Sequence, residues 1–123
     1  MIKQLIFLMG WETFTAGLKI YFKEFAWKNT ELPDFIGAMQ RGYDAAGKDE
    51  PLNLNDWSTS WLQTKGVNKH SAEFEQVDGN FTSFSIRQEH CKNADAVFGE
   101  QRINIGLYDD EGNLTEKIEN VKI

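Results

Sequence analysis

Apolar residues in the first half of the chain recur at helical spacing, and those in the second half alternate. Ile2, Leu5, Ile6 and Met9 share one side of a helix that Gly10 closes. Phe14, Leu18, Tyr21, Phe22 and Phe25 predict a second apolar stripe, with Glu12 well placed in its first turn against the helix dipole. Thr30 suits the cap of a third helix, with Pro33 in its opening turn, Phe35, Ile36, Met39 and Tyr43 on its apolar side, and Gly47 as its stop. A short fourth helix is predicted from Asn55 as N-cap. Trp57 and Trp61, four residues apart, share its apolar face with Leu54 just before them, and Gly66 supplies a left-handed terminator.

After Gly66 the period becomes two. Phe74 to Val77 and Phe81 to Gln88 flank Asp78-Gly79-Asn80, the signature of a tight hairpin, with Phe84 and Ile86 alternating against Ser83, Ser85 and Arg87. His90 to Glu100 reads as a loop. Ile103, Ile105 and Leu107 alternate again, Asp109 to Asn113 forms a turn, and Leu114 to Ile123 gives a last strand. Its parity slips between Ile118 and Val121, which predicts a bulge there. The pattern is that of an α+β chain. It predicts an antiparallel stack of about four helices over residues 1–67, then a four-stranded antiparallel sheet, a partial β-sandwich, over residues 68–123. The apolar side of such a sheet needs a second layer. The helices' aromatic faces supply it in one arrangement; in the other, a short hinge at Val67 to Ala72 leaves two domains side by side. Trp57, Trp61 and Gly66 fall at the boundary and are the expected structural interface.

Composition narrows the function classes. At 123 residues, 41% hydrophobic and 26% charged, the chain is an ordinary globular one of about one domain's length. A net charge of −6 without a basic patch argues against a nucleic-acid partner. Cys91 is the sole cysteine, so no internal disulfide forms and a reducing, cytoplasmic location is expected. Asn80-Phe81-Thr82 and Asn113-Leu114-Thr115 match the glycosylation sequon, which matters only on a secretory route; asparagine at β-turns is the plainer reading. The apolar run Leu5 to Met9 is short for a signal peptide and far below the ~20 residues that span a bilayer, so no membrane partner is expected. A helix starting uncapped at Met1 reads as the middle of something longer.

Catalytic constellations are missing. The chain has no H-E-x-x-H, C-x-x-C or G-x-S-x-G and no phosphate-binding glycine loop. His70, His90 and Cys91 would make a zinc site only with an unassigned fourth ligand, at a spacing that matches no common site; solvent-exposed loop residues are the plainer reading. The pairs Asp49-Glu50 and Asp109-Asp110 lie in turns without the apolar surroundings that shift a carboxyl pKa. Glu12, Glu24 and Glu31 read as helix-surface charges, and the aromatic stripe as core rather than ligand pocket.

The order of residues carries more. Ile2-Lys3-Gln4-Leu5, Leu8-x-Gly10, Phe14-x-x-Gly17-Leu18, Tyr21-Phe22, Asn29-Thr30 and Asp34-Phe35 lead to Trp57-x-x-x-Trp61-Leu62-x-Thr64-x-Gly66-Val67-Asn68. Phe84-x-Ile86-x-Gln88 and Arg102-Ile103-x-Ile105-Gly106-Leu107-Tyr108-Asp109 follow, in order and with compatible gaps. Nearly the whole chain thus resembles the aminopeptidase N family of zinc metallopeptidases. Lys69-His70-Ser71-Ala72 departs from it, standing where Thr-Leu-Arg-Pro is usual.

The resemblance implies the helical closing part of a thermolysin-like catalytic domain over residues 1–67 and the start of a β-sandwich domain over residues 68–123. The family's zinc is held by H-E-x-x-H and a downstream glutamate, its exopeptidase motif is G-x-M-E-N, and a tyrosine in Y-x-K-G stabilises the oxyanion. None of these motifs occurs in the chain, and the Y-x-K-G would fall just upstream of Met1. The expectation is therefore a chain with no catalytic or metal-binding residue, inactive alone. Zinc and peptide substrates would belong to the complete enzyme, and the missing catalytic part would be the partner. A stand-alone protein-binding module derived from that family is the alternative.

Overall fold

A computed structural model describes residues 2–91 and 97–123. Among these residues four helices come first and four strands follow, α1 Ile2–Met9, α2 Trp11–Glu24, α3 Leu32–Ala45 and α4 Leu54–Leu62, then β1 Asn68–Val77, β2 Asn80–His90, β3 Arg102–Tyr108 and β4 Leu114–Lys122. The α+β class read from the two periodicities holds. The chain forms two compact units, Met1–Leu62 and Gln63–Ile123.

The helical unit closes around Leu5, Met9, Phe14, Ile36, Met39, Tyr43, Leu54 and Trp57. The stripes of α1 and α3 are found as predicted, except that Ile2 remains exposed. On α2, Phe14 is buried whereas Phe22 is 66% exposed, so the stripe is narrower than its spacing implied. The missing contact is supplied by Gly17. A Cβ there would lie 2.9 Å from the Met39 sulfur, and a Cβ on Gly42 would lie 2.6 Å from the Gly17 nitrogen. The backbones of α2 and α3 touch at these two glycines. Farther along, the Tyr21 and Phe35 rings meet edge to face at 5.5 Å, so the two helices run antiparallel.

Helix ends correct two of the expected caps. Thr30 does not cap α3; its hydroxyl is 2.5 Å from the Tyr21 hydroxyl. Glu31 takes the cap position instead, its backbone N–H donating to the Asp34 carboxylate at 2.9 Å. A charged pair three residues apart does the same work as a threonine. In α4 the cap is Asn53, two residues before Asn55: its side-chain oxygen accepts from the N–H of Asn55 at 3.0 Å and of Asp56 at 3.3 Å. Gln40 completes that turn, accepting from the Leu54 N–H at 2.8 Å and donating to the Leu52 carbonyl at 3.0 Å.

The four expected strands form, but as two two-stranded antiparallel sheets, β1 with β2 and β3 with β4, rather than one four-stranded sheet. Alternation specifies which side of a strand is apolar and not which edge finds a partner. The first strand also starts at Asn68, so the hinge expected at Val67 to Ala72 is mostly strand. Its polar first residues pair with Arg87 to His90 and carry no alternation to betray them. The Asp78-Gly79 turn is as expected: φ is 49° and 80° at the two central residues, the left-handed pair of a two-residue loop joining Val77 to Asn80. The predicted bulge is there too. Ile103 faces Val121 but Ile105 faces Ile118, leaving Glu119 and Asn120 opposite Asn104 alone. Asn120 has φ 59°, and its N–H is taken up by the Asn104 side chain at 3.0 Å. Of the loop expected at His90 to Glu100, His90 belongs to β2, and residues 92–96 lie outside the described residues.

Gly42→Ala should lower the stability of the helical unit by about 1–3 kcal/mol, because a methyl group there meets backbone that cannot yield. Gly37→Ala, whose methyl would meet nothing nearer than the Arg41 guanidinium at 3.6 Å, should raise it by about 0.5–1 kcal/mol. Urea unfolding followed by circular dichroism distinguishes the two.

Candidate functional site

Trp57 and Trp61 stack at 6.0 Å with 23° between their planes. Trp57 is 4% exposed and lies in the helical core, with its indole N–H shielded and without an acceptor among the described residues. Trp61 packs against that core from its edge. Gly66 lies four residues beyond the end of α4, in the connection to β1, with φ 97°. Its left-handed backbone shapes that connection rather than terminating the helix, which has already ended at Leu62.

The two histidines of the strand unit meet other partners. His70 and His90 share one face of the first hairpin, since His70 faces Gln88 and His90 faces Asn68 two positions on. The His70 ring nitrogen lies 3.2 Å from the Gln101 amide, and the His90 ring stacks on Phe98 at 3.9 Å. Cys91 is half-buried just beyond the strand. Among the described residues no three of His, Cys, Asp and Glu gather closely enough to hold an ion.

The acidic pairs behave as turn residues. Asp109 accepts from the backbone N–H of Glu111 at 3.0 Å and of Asn113 at 2.8 Å, and the Asn113 amide donates to its other oxygen at 3.0 Å. These bonds, the Asn113 side chain's first, hold the Asp109 carboxyl below the usual aspartate range. Asn80 and Asn113, the two sequon asparagines, bond to Asp78 and Asp109 of their own turns.

Both described cavities lack chemistry. Between the two hairpins a cleft of about 350 Å³ is lined by Phe84, Ile86, Gln88, Ile105, Val121 and Ile123, among others. Its Gln88 amide nitrogen is sheltered and has no acceptor among the described residues. A second recess of about 280 Å³ lies over Tyr43, whose hydroxyl donates to the Glu50 carbonyl at 2.7 Å. Neither combines a nucleophile, a general base and an oxyanion donor.

Comparison with known proteins supplies what the geometry lacks. No family model matches the chain. Aminopeptidase N of Streptomyces lividans is 40% identical to it over 117 residues, which is 90% of this chain and 13% of that protein. The chain is related to the aminopeptidase N family. A second aminopeptidase, leucine aminopeptidase 2-2 of Meyerozyma guilliermondii, is 33% identical over 60 residues, 49% of the chain and 9% of that protein. The family resemblance carried by residue order is thus upheld across most of the length. The chain spans only about an eighth of the Streptomyces aminopeptidase.

The residues missed in the sequence are those that position α4. Gln40 bridges α3 to the start of α4 with two hydrogen bonds, a third going to Asp44 within α3, and nothing in its spacing marks it. Gly17 and Gly42 were legible only as glycines inside helical stretches, a sign of close approach when a helix tolerates them.

Two outcomes follow for these residues. Trp57→Ala should cost about 3–5 kcal/mol, enough to unfold a helical unit this small under mild denaturant, read by loss of helical circular dichroism. In a pH titration by nuclear magnetic resonance, the Asp109 carboxyl should ionise below an unstructured aspartate. Its contribution to the β3–β4 turn is then full above the usual aspartate pKa and lost as pH falls through the lowered one. Asp109→Asn should remove that acid-side dependence.

Proposed function

We propose that this chain is a structural segment of a zinc-dependent aminopeptidase. Its helices wall the catalytic domain, and its strands begin the β-sandwich domain that follows. The zinc, the water-activating glutamate and the peptide-binding groups come from the rest of the protein. The complete enzyme would release N-terminal residues from peptides. The observation that carries this reading is a match running through 90% of the chain yet touching only 13% of the Streptomyces aminopeptidase. Zinc is assigned to the rest of the enzyme in this reading, which is supported by a sequence without H-E-x-x-H and by the lack of a three-ligand cluster among the described residues.

The proposed partners follow from the same reading: the catalytic part of the enzyme and, through it, peptide substrates, with neither nucleic acid nor membrane. No helix among the described residues is long and apolar enough to cross a membrane. A cytoplasmic setting accords with the lone, unbridged Cys91. A stand-alone binding module is the second reading, favoured by large apolar side chains left outside the helical core, such as Trp11 at 68% exposure.

A chimera tests the choice. With this chain replacing the aligned stretch of the Streptomyces aminopeptidase, the protein should fold, bind zinc and release N-terminal residues from peptides. A soluble, zinc-loaded but inactive chimera, alongside an isolated chain that melts cooperatively as a monomer, would favour the binding module.

A further inference from the structure

Each sheet has two strands, so every strand leaves one edge of N–H and C=O groups without a ladder partner among the described residues. Such edges pair with other chains unless charges or bulges guard them. Three of the four are guarded. Strand β1 carries Lys69, Glu73 and Glu75. Strand β2 carries Arg87 and Glu89, and Thr82 bulges out of its ladder, since Glu75 faces Ser83 but Gln76 faces Phe81. Strand β4 carries Glu116, Lys117, Glu119 and Lys122 together with both irregularities of its sheet: besides the one at Glu119 and Asn120, Thr115 is passed over between Glu116 and Leu114. Strand β3 has neither device. No charge falls between Arg102 and Asp109, and no residue of β3 bulges.

The ladder shows which groups β3 turns outward. Gln101 and Ile123 exchange both of their N–H···O bonds, and the Asp109 N–H donates to the Asn113 carbonyl, so the odd-numbered residues turn their backbone toward β4. By alternation Asn104, Gly106 and Tyr108 turn theirs away from it, and all three residues are exposed. An unpaired ladder of this kind takes an extended strand. Charge selects its direction: β3 begins at Arg102 and runs into Asp109-Asp110-Glu111. Antiparallel pairing with an identical strand sets Arg102 of each copy beside the acidic turn of the other, whereas parallel pairing would bring the acidic turns together.

We propose that β3 is a self-association edge, pairing antiparallel with β3 of a second copy of this chain. Centred on Ile105, the pairing sets Asn104 against Gly106 of the second copy, outward backbone against outward backbone. Ile103 then faces Leu107 of the second copy, which keeps the apolar side chains on one face. The two β3–β4 hairpins become one four-stranded sheet. Its outer edges are the charged, bulged β4 strands, so growth stops at two copies. The contact is a property of the chain by itself and stands apart from the aminopeptidase reading.

Analytical ultracentrifugation of the purified chain, with amide hydrogen exchange followed by nuclear magnetic resonance, tests this. The chain should sediment as a concentration-dependent dimer and no larger species. The Asn104, Gly106 and Tyr108 amides should exchange more slowly as concentration rises. Gly106→Pro removes one outward N–H on an edge, where proline is tolerated, and leaves the bonds to β4 in place. A Cβ at that position meets only side-chain atoms, of Tyr108 at 3.0 Å and of Leu114 at 3.2 Å. The substitution should raise the dimer dissociation constant about tenfold or more with unchanged circular dichroism. Asp110→Lys with Glu111→Lys, outside the ladder, should raise it about two- to fivefold. A monomer at every concentration overturns the proposal, as does a dimer whose three outward amides exchange as fast as in the dilute chain. A dimer that both variants leave intact does the same, and so do larger assemblies that persist in Gly106→Pro, since they place the contact on another edge. Should Gly106→Pro unfold the hairpin, the lysine pair and the exchange rates of the unsubstituted chain decide.

Discussion

The helical unit depends on one close approach, the crossing of α2 and α3 where Gly17 meets Gly42. With the two backbones nearly touching, Met39 closes over Gly17, Tyr21 reaches Phe35, and the Glu24–Arg41 ion pair spans the same two helices. That ion pair is half-exposed and contributes little. The crossing sets the distance at which Ile36, Met39 and Tyr43 face Phe14, and through Gln40 it fixes where α4 begins. Trp57 is buried because α4 starts there. A side chain at either glycine would push the helices apart and open the core from its centre.

The strand unit is held differently. Its backbone groups are paired in two hairpins, yet Phe74, Phe81, Phe84, Leu114 and Ile118 are each at least 41% exposed. Hairpins of this kind are marginal without a further layer on the apolar side. The helical unit carries its own core and the strand unit is mostly ladder. In the scaffold reading proposed above, the rest of the enzyme would supply that layer.

What the sequence made legible follows from how locally each feature is encoded. The Asp78-Gly79 turn, the bulge before Val121 and the Gly10 and Gly47 stops are each decided by a few adjacent residues, and all are present. The cap of α4 was displaced by two residues because Asn53 and Asn55 are chemically equal candidates. Gln40, distant in sequence, marks the turn at Asn53 by bonding to the Leu52 carbonyl and the Leu54 N–H on either side of it. The division of four strands into two sheets depends on edge pairing, which alternation does not encode. That the sequence holds no H-E-x-x-H was readable directly. Which aromatic residues stay exposed, such as Phe22, was not, since helical spacing alone does not say how wide a stripe is covered.

The account turns on whether these residues perform any metal chemistry themselves. The most direct measurement is calorimetric titration of the purified chain with zinc, coupled to assay of the zinc-treated protein on an alanyl-anilide substrate. The account predicts no stoichiometric binding and no release of the aniline. One zinc bound per chain with turnover that a chelator abolishes would contradict it.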